Sequence, residues 1–156
     1  MRLLGDQVHQ PVDFAQRQPR LPDVFEFGGG FLGAAGAALA VSVLVRTEVP
    51  TAHRGWIPLV AGTAMARAIT AQLPGRDVGV KWPNDVLVDG LKICGILAEA
   101  LPDAIVIGSG VNTRMTAEQL PVPTATSFAA LGAEADEDRL IDEYVTGLDE
   151  RLTALA

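Results

Sequence analysis

Lys81 and Lys92 are cations inside an otherwise apolar run, VKWPNDVLVDGLKICGILAEA, at residues 80–100. Lys81 directly precedes a Trp-Pro pair, and the proline ring excludes the helical conformation for Trp82, so this lysine should lie on an extended segment beside a turn. Gly95 removes a side chain from the middle of the run, as is common at a bulge or where a ligand approaches closely. Two ammonium groups beside such a gap indicate a site for an anionic ligand. The alternative is that both lysines are solvated charges that discourage edge-to-edge strand pairing.

Turn-forming residues divide this region into short strands. The predicted strands cover residues 78–82, 86–88, 92–100 and 104–112. The first ends at a proline followed by Asn84-Asp85, a turn-forming pair. Asp89-Gly90 separates the second from the third and is the strongest short-range hairpin signal, so these two strands should pair antiparallel. The sequence therefore predicts a meander.

The two faces of the third strand follow from alternation, since every second side chain of a regular strand points to the same side. Lys92 should then share a face with Cys94 and Ile96. Gly95 and Leu97 take the other face.

The remaining elements complete an α/β domain. Residues 39–46 are rich in β-branched residues and predict a strand. Residues 56–73 predict a helix with Pro58 in its first turn. Its buried stripe comprises Ile57, Val60, Ala61, Ala64, Met65, Ala68 and Ile69. Asp136 can cap a last helix, whose buried face comprises Leu140, Ile141, Tyr144, Val145, Leu148 and Leu152.

Composition limits the classes of partner. The chain has 156 residues, 49% of them hydrophobic, which suits one domain with a core. A net charge of −7 without clustered basic residues argues against nucleic acid as a partner. Cys94 is the sole cysteine, so no disulfide and no metal site are expected. Residues 27–45 carry no charge and just reach the length of a membrane span, but their many glycines and alanines favour a buried strand over an anchor.

The run KWPNDVLVDGLKICGIL, residues 81–97, resembles the central signature of biotin protein ligases: Lys-Trp-Pro-Asn-Asp, a hairpin, then a lysine, a small residue and Gly-Ile-Leu. GSGVN at 108–112 resembles the glycine strand that follows in that family, and TATSF at 124–128 falls in the family's order. The resemblance covers about residues 34–153. It implies a mixed, largely antiparallel sheet flanked by helices, like that of class II aminoacyl-tRNA synthetases.

The resemblance implies an enzyme with a two-step reaction. Biotin's carboxylate attacks the α-phosphate of ATP and releases pyrophosphate, and the biotinyl-adenylate then acylates a lysine in the carrier domain of a carboxylase. Because a carboxylate must approach a triphosphate, such a site needs fixed positive charge. Lys81 matches the signature lysine and is the implied catalytic residue, contacting both biotin and the activated phosphate.

The resemblance also implies binding positions. Biotin would lie over the sheet at Gly95, beside Ile96 and Leu97. The nucleotide candidates are Lys92, Asn112, Asn84 and Asp85, of which the last two could instead be structural residues of the turn. Mg²⁺ would arrive with ATP, so no protein metal ligands are expected. Trp82 should lie in the core or form a wall of the site.

Other functions remain open. Lipoate ligases share the fold and a related lysine, although Trp82-Pro83 and Ile96-Leu97 favour biotin. Cys94 could carry an acyl group as in octanoyltransferases, but it occupies the small-residue position of the signature, and a buried inert thiol is favoured. The non-enzymatic alternative is a degenerate domain that binds biotin, the carrier or a partner subunit.

The amino-terminal region departs from the family pattern. Gly28, Gly29 and Gly30 could form a flexible loop here, but they bring none of the arginines of the basic Gly-Arg loop that closes over the adenylate, and Arg17 and Arg20 lie in a stretch that does not align with it. Shielding of the intermediate and activity should therefore be impaired. We expect residues 1–26 to be divergent or poorly ordered and residues 27–156 to form the catalytic domain. We also expect no carboxyl-terminal β-barrel and no DNA-binding domain. A cytoplasmic protein that forms a homodimer is expected from the family alone.

Overall fold

The computed structural model of this chain describes residues 36–46, 49–101 and 104–156. The strands are β1 (Ala38–Val45), β2 (Val78–Lys81), β3 (Asp85–Val88), β4 (Leu91–Ala100) and β5 (Ile105–Asn112). The helices are α1 (Ile57–Gln72) and α2 (Glu137–Leu155), and a 3₁₀ turn over Thr51–Trp56 precedes α1. Every predicted strand and helix is confirmed to within about two residues. The expectations for residues 1–26, and for the rest of the chain before residue 36, lie outside the described residues.

The five strands form one antiparallel sheet in the order β1-β5-β4-β3-β2. Strands β2 to β5 follow one another along the chain, which confirms the predicted meander. Asp89 and Gly90 have φ angles of 50° and 81°, the left-handed conformations that a two-residue hairpin turn of type I′ requires. The first strand, β1, joins the sheet beside the last one.

Both α-helices pack on the same face of the sheet. On α1, the small residues of the predicted stripe let the helix approach closely, and a Cβ added at Gly62 would lie 3.0 Å from Cγ1 of Val80. On α2, the Tyr144 hydroxyl shares a buried hydrogen bond of 2.7 Å with the Ser109 hydroxyl of β5. The core between these layers includes Met65 and Ile69, each fully buried and each contributing about 1.5–3 kcal/mol to folding.

The two helices are joined at their ends by Asp136. Its carboxylate accepts a hydrogen bond of 3.0 Å from the backbone N–H of Arg139, which confirms the predicted N-cap. Its own backbone N–H and C=O bond to the side-chain amide of Gln72 at the end of α1, at 2.9 and 3.0 Å. The start of α2 is therefore fixed against the end of α1.

The uncharged stretch at residues 27–45 enters the described part of the chain at its carboxyl end. Residues 38–45 form β1. Within the described ranges, no helix has the length and apolar character needed to cross a membrane.

Candidate functional site

A flat strip crosses the sheet on the face away from the helices. In register, Ala40 of β1 lies opposite Gly110 of β5, and Gly110 lies opposite Gly95 of β4. Gly95 in turn lies opposite Asp85, and Asp85 lies opposite Lys81. Residues paired across neighbouring strands share a face, so two glycines lie in line with one carboxylate and one ammonium group. We call this side of the sheet, with Gly95, Gly108 and Gly110, the glycine face.

The glycine face also includes Leu97, a predicted biotin residue, and Ser42, which the sequence had not singled out. Gly108 lies between Ser42 of β1 and Leu97 of β4 in the next row of the sheet. Leu97 is 44% exposed, so its side chain is accessible on this face. Ser42 was not a sequence candidate because only its pairing with Gly108 of β5 shows which face of the sheet it lies on. Alternation along β1 did place it on the same face as Ala40.

Lys81 is the last residue of β2, and its side chain is exposed. Among the described residues it makes no ion pair. The next peptide bond, Trp82–Pro83, is cis. Trp82 is 74% exposed, so the expectation that it lies in the core was wrong. The other alternative, that Trp82 forms a wall of the site, is compatible with this exposure. The turn therefore holds a free ammonium group at one end of the glycine strip.

Lys92 lies on the glycine face, and the prediction that it shares a face with Cys94 was wrong. The physical reason is a β-bulge. Val86 pairs with Cys94 whereas Leu87 pairs with Lys92, so β4 has one residue more than β3 at this point. The extra residue inverts the alternation for the start of β4.

The bulge brings Lys92 to Asp85. The Nζ atom of Lys92 lies 2.7 Å from Oδ1 of Asp85, and the two side chains are 44% and 22% exposed. A partly exposed pair of this kind contributes about 0.2–1 kcal/mol to stability. Two predicted nucleotide candidates are therefore in contact with each other, on the same face as Lys81.

Asn84 and Asn112 use their side-chain amides to bind backbone. The Asn84 amide donates a hydrogen bond of 2.6 Å to the carbonyl of Ile96, which extends the pairing of β3 with β4. The Asn112 amide donates to the carbonyl of Thr126 at 2.9 Å. For Asn84 this geometry supports the structural alternative, and Asn112 fixes a segment beside the site.

That segment, residues 124–126, is a strap across the start of β4. The backbone N–H of Lys92 donates to the Thr124 carbonyl and the N–H of Thr126 donates to the Lys92 carbonyl, both at 2.8 Å. The strap thus continues the sheet where β5 ends. Sequence reasoning noted residues 124–128 only for their order along the chain, because a contact between distant segments has no local signal.

The structure does not bring Ile96 to the other predicted biotin residues. Its side chain is 2% exposed and points to the helix face, where it packs near Gly62 and Val80. Gly95 and Leu97 lie on the glycine face as predicted. Ile96 can therefore support the floor of the site from below, without its side chain touching a ligand above.

Cys94 is buried on the helix face, as expected for an inert thiol. Burial raises the pKa of its thiol from 9.0 to about 12, although a hydrogen bond involving Gly110 and the charge of Lys92 oppose the shift. The thiolate is the form that attacks acyl groups. An acyl-carrying role for Cys94 is therefore disfavoured.

The arrangement suits a flat ligand with an anionic end. Backbone without side chains at Gly95 and Gly110 lets a ring lie close to the sheet, and Lys81 supplies positive charge at the end of the strip. In the described part of the chain, no group of three or more His, Cys, Asp or Glu side chains could hold a metal ion.

Comparisons with known proteins identify the family of this chain. The sequence profile of the biotin/lipoate A/B protein ligase family matches residues 26–112. A biotin--[acetyl-CoA-carboxylase] ligase from Mycobacterium tuberculosis is 37% identical over 129 residues, which are 80% of this chain and 48% of that protein. The bifunctional ligase/repressor BirA of Escherichia coli is 40% identical over 85 residues, 51% of this chain and 26% of that protein. The chain thus spans about half or less of the length of these relatives.

Solved structures share the fold. The crystal structure of a biotin protein ligase from Aquifex aeolicus superposes with a TM-score of 0.64 at 25% identity, over 76% of this chain and 54% of that one. A biotin protein ligase from Leishmania major, solved in complex with biotinyl-5-AMP, superposes with a TM-score of 0.65 at 23% identity, over 76% of this chain and 56% of that one. The predicted class of fold, an antiparallel sheet with flanking helices, is confirmed.

Proposed function

This chain belongs to the biotin/lipoate A/B protein ligase family, and we propose that it carries the ligand-activating site of a biotin protein ligase. The observation that supports this most directly is the row of residues across the sheet. Gly110, Gly95 and Asp85 lead in register to Lys81, so a ring above the glycines would direct a carboxylate toward an unpaired ammonium group.

The proposed first step is adenylation of biotin. One carboxylate oxygen of biotin attacks the α-phosphorus of ATP, and the bond to the bridging oxygen breaks so that pyrophosphate leaves with its electron pair. Negative charge accumulates between the carboxylate and the phosphates. Lys81 would stabilise that charge, because it ends strand β2 on the glycine face and its ammonium group pairs with no carboxylate among the described residues.

The proposed second step is transfer. The amine of a lysine on the acceptor attacks the acyl carbon of the adenylate, AMP leaves, and the amine loses a proton to give an amide. The relative from Mycobacterium tuberculosis is named as a ligase of acetyl-CoA carboxylase. We therefore propose the biotin carboxyl carrier domain of a carboxylase as the acceptor, in the cytoplasm, where ATP and carboxylases are present.

The nucleotide is proposed to lie beside Lys92 and Asn112, at the start of β4. Asp85 and Asn84 border this place from β3. The side-chain amides of both asparagines bond to backbone carbonyls, so their proposed contribution is to fix the border. An Aquifex aeolicus biotin protein ligase has been solved with biotin and ATP, which is consistent with a fold that takes both ligands.

Magnesium enters the proposal only as the counter-ion of ATP. Asp85, the carboxylate in register with Lys81, is engaged by Lys92, and the described residues hold no cluster of metal ligands. A protein-held Mg²⁺ does not fit these residues, and no step is assigned to it.

Biotin-dependent exchange of labelled pyrophosphate into ATP tests the proposal. We expect exchange with the wild-type chain and a loss of about 10²- to 10³-fold with Lys81→Ala, as for removal of one charge-stabilising donor. Arg67→Ala is the matched control, because Arg67 lies on α1, in the helix layer, and forms an exposed ion pair with Glu150 of α2. Its exchange should equal that of the wild type.

Substrate choice is tested in the same assay. Lipoate in place of biotin should give much slower exchange, and faster exchange with lipoate would replace the proposal by a lipoate-type ligase. Absence of exchange, together with no biotin binding by calorimetry in folded protein, would contradict a ligase site and leave the degenerate domain. Sedimentation of the same sample measures whether two copies pair, which the family alone suggests.

A further inference from the structure

The chain contains only two lysines, Lys81 and Lys92, and both lie on the glycine face. Asp85 lies between them in the sheet. In register it is the partner of Lys81. Its carboxylate nevertheless binds Lys92 at 2.7 Å and makes no ion pair with Lys81. One carboxylate thus has two cations within reach and is engaged by one of them.

A pair between Lys81 and Asp85 is sterically available. Directly opposite residues of an antiparallel pair have Cβ atoms about 4.5–5.5 Å apart, and a lysine side chain spans that distance. Opposite charges at such positions attract. If Asp85 were free, Lys81 would be held by a carboxylate, and the end of the glycine strip would lose its unpaired positive charge.

The backbone around Lys92 directs its side chain to Asp85, which disfavours pairing of Asp85 with Lys81. The β-bulge turns Lys92 to the glycine face, where a regular strand would place it on the helix face. The strap binds both backbone polar groups of Lys92, through the Thr124 carbonyl and the Thr126 N–H. Asn112 holds the strap through the Thr126 carbonyl. The direction of Lys92 is therefore fixed by three elements.

We propose that Lys92 is a positioning residue that occupies the Asp85 carboxylate and so keeps Lys81 unpaired. Lys92 acts on the reaction through Asp85 and Lys81. The effect of Lys92 on the rate of adenylation rests on the proposed function. The competition between Lys81 and Lys92 for the Asp85 carboxylate does not depend on that function. The two can be tested separately.

The first test follows the lysines without any ligand. The protein is treated with a limiting amount of acetic anhydride, and mass spectrometry measures the acetylation rate of each lysine. In the wild type, Lys81 should react faster than Lys92. In Lys92→Met, Lys81 should react about two- to fivefold more slowly, as expected for capture by Asp85 in an exposed pair.

Two further variants make this result specific. In Lys92→Met/Asp85→Asn, the rate of Lys81 should return to the wild-type value because no carboxylate remains to capture it. In Lys92→Arg, the cation that binds Asp85 is retained, so the acetylation rate of Lys81 should stay at the wild-type value. Urea denaturation checks that each variant is folded. An unchanged Lys81 rate in folded Lys92→Met would overturn the proposal, whatever the exchange assay gives.

The second test uses pyrophosphate exchange. Lys92→Met should lower kcat with little change in the KM for ATP, and the added Asp85→Asn should restore most of the rate. If Lys92 instead contacts the nucleotide directly, KM for ATP should rise and Asp85→Asn should restore nothing, which would overturn the positioning role. If the wild-type chain shows no pyrophosphate exchange, the ligase proposal is contradicted. The acetylation experiment would still test the competition of the two lysines for Asp85.

Discussion

Lys81 and Gly95 contribute to the glycine face in opposite ways. Lys81 supplies a charge that nothing else in the described residues neutralises, and Gly95 supplies space because it has no side chain. A site for a ring with an anionic tail needs both. The two residues lie in the same row of the sheet, separated by Asp85.

Filling the space at Gly95 should weaken biotin binding. Gly95→Val places a branched side chain on the strip while keeping a residue type that strands favour. We expect an affinity loss of about ten- to a hundredfold, from the 1–3 kcal/mol typical of overpacking. Isothermal titration calorimetry with biotin measures the change.

Gly79→Ala is the matched control for this substitution. Gly79 also lies in a strand, and a Cβ there would meet nothing within 4 Å. Biotin should bind this variant as it binds the wild type. Equal affinities for Gly95→Val and the wild type would mean that biotin does not use the glycine strip.

At the scale of elements, residues close together in the sequence were enough to predict the strands and helices of the described chain. The Asp89-Gly90 turn, the apolar stripe of α1 and the Asp136 cap each depend on residues close in sequence. The hairpin, both helices and the meander followed from them. Lys81 at the end of a strand and Gly95 on the opposite face from Cys94 were predicted by the same reasoning.

The rest of the site depends on contacts that have no local signal. The bulge at Lys92 is set by pairing with β3 and by the strap, and one extra residue was enough to reverse the predicted face. The amides of Asn84 and Asn112 bind carbonyls 12 and 14 positions away. Trp82 looked like core by residue type, but its place at the tip of a turn leaves it exposed.

The cap of α2 gives a stability prediction at this scale. Asp136→Ala removes the side-chain acceptor for the Arg139 N–H and should cost about 1 kcal/mol. The midpoint of thermal unfolding should then fall by about 2–4 °C. Circular dichroism at rising temperature measures it.

Asp138→Ala is the control for the cap. Asp138 lies in the first turn of α2, so its removal costs only the interaction with the helix dipole, about 0.3–1 kcal/mol. A loss for Asp136→Ala no larger than that for Asp138→Ala would contradict the capping role.

On the scale of the whole molecule, both lysines lie on the same side of the sheet. The chain carries a net charge of −7, yet both of its lysines lie on the glycine face. The helix layer on the other side contains many of the acidic residues, including Asp142, Glu143 and Glu150 of α2. An anionic ligand therefore meets local positive charge at Lys81, which pairs with no carboxylate among the described residues, on a molecule that is acidic overall.

Stability should decrease at alkaline pH. Burial raises the pKa of Cys94 from 9.0 to about 12 and that of Tyr144 from 10.0 to about 12. Between about pH 9 and 12 the unfolded chain releases these protons while the folded chain keeps them, so the free energy of unfolding falls as pH rises. Each group contributes at most about 1.4 kcal/mol per pH unit. Urea titrations at pH 8, 9.5 and 10.5 measure the slope.

Cys94→Ala removes the contribution of the Cys94 thiol to this pH dependence and leaves that of the Tyr144 hydroxyl. The variant should have lower stability than the wild type at pH 8 because a buried side chain becomes smaller, but its slope between pH 9 and 10 should be distinctly shallower. An identical slope would show that Cys94 does not titrate differently in the folded and unfolded chain.

The place of β1 in the sheet has a consequence for the order of folding. Ala38 pairs with Asn112 and Val45 with Ile105, so each rung of this ladder closes a loop of about 60 residues or more. The meander from β2 to β5 needs only short turns and can form early. On a ribosome, β1 leaves the tunnel first but finds its partner last. The part of the glycine face on β1, at Ala40 and Ser42, is therefore completed only after strands β2 to β5 have paired.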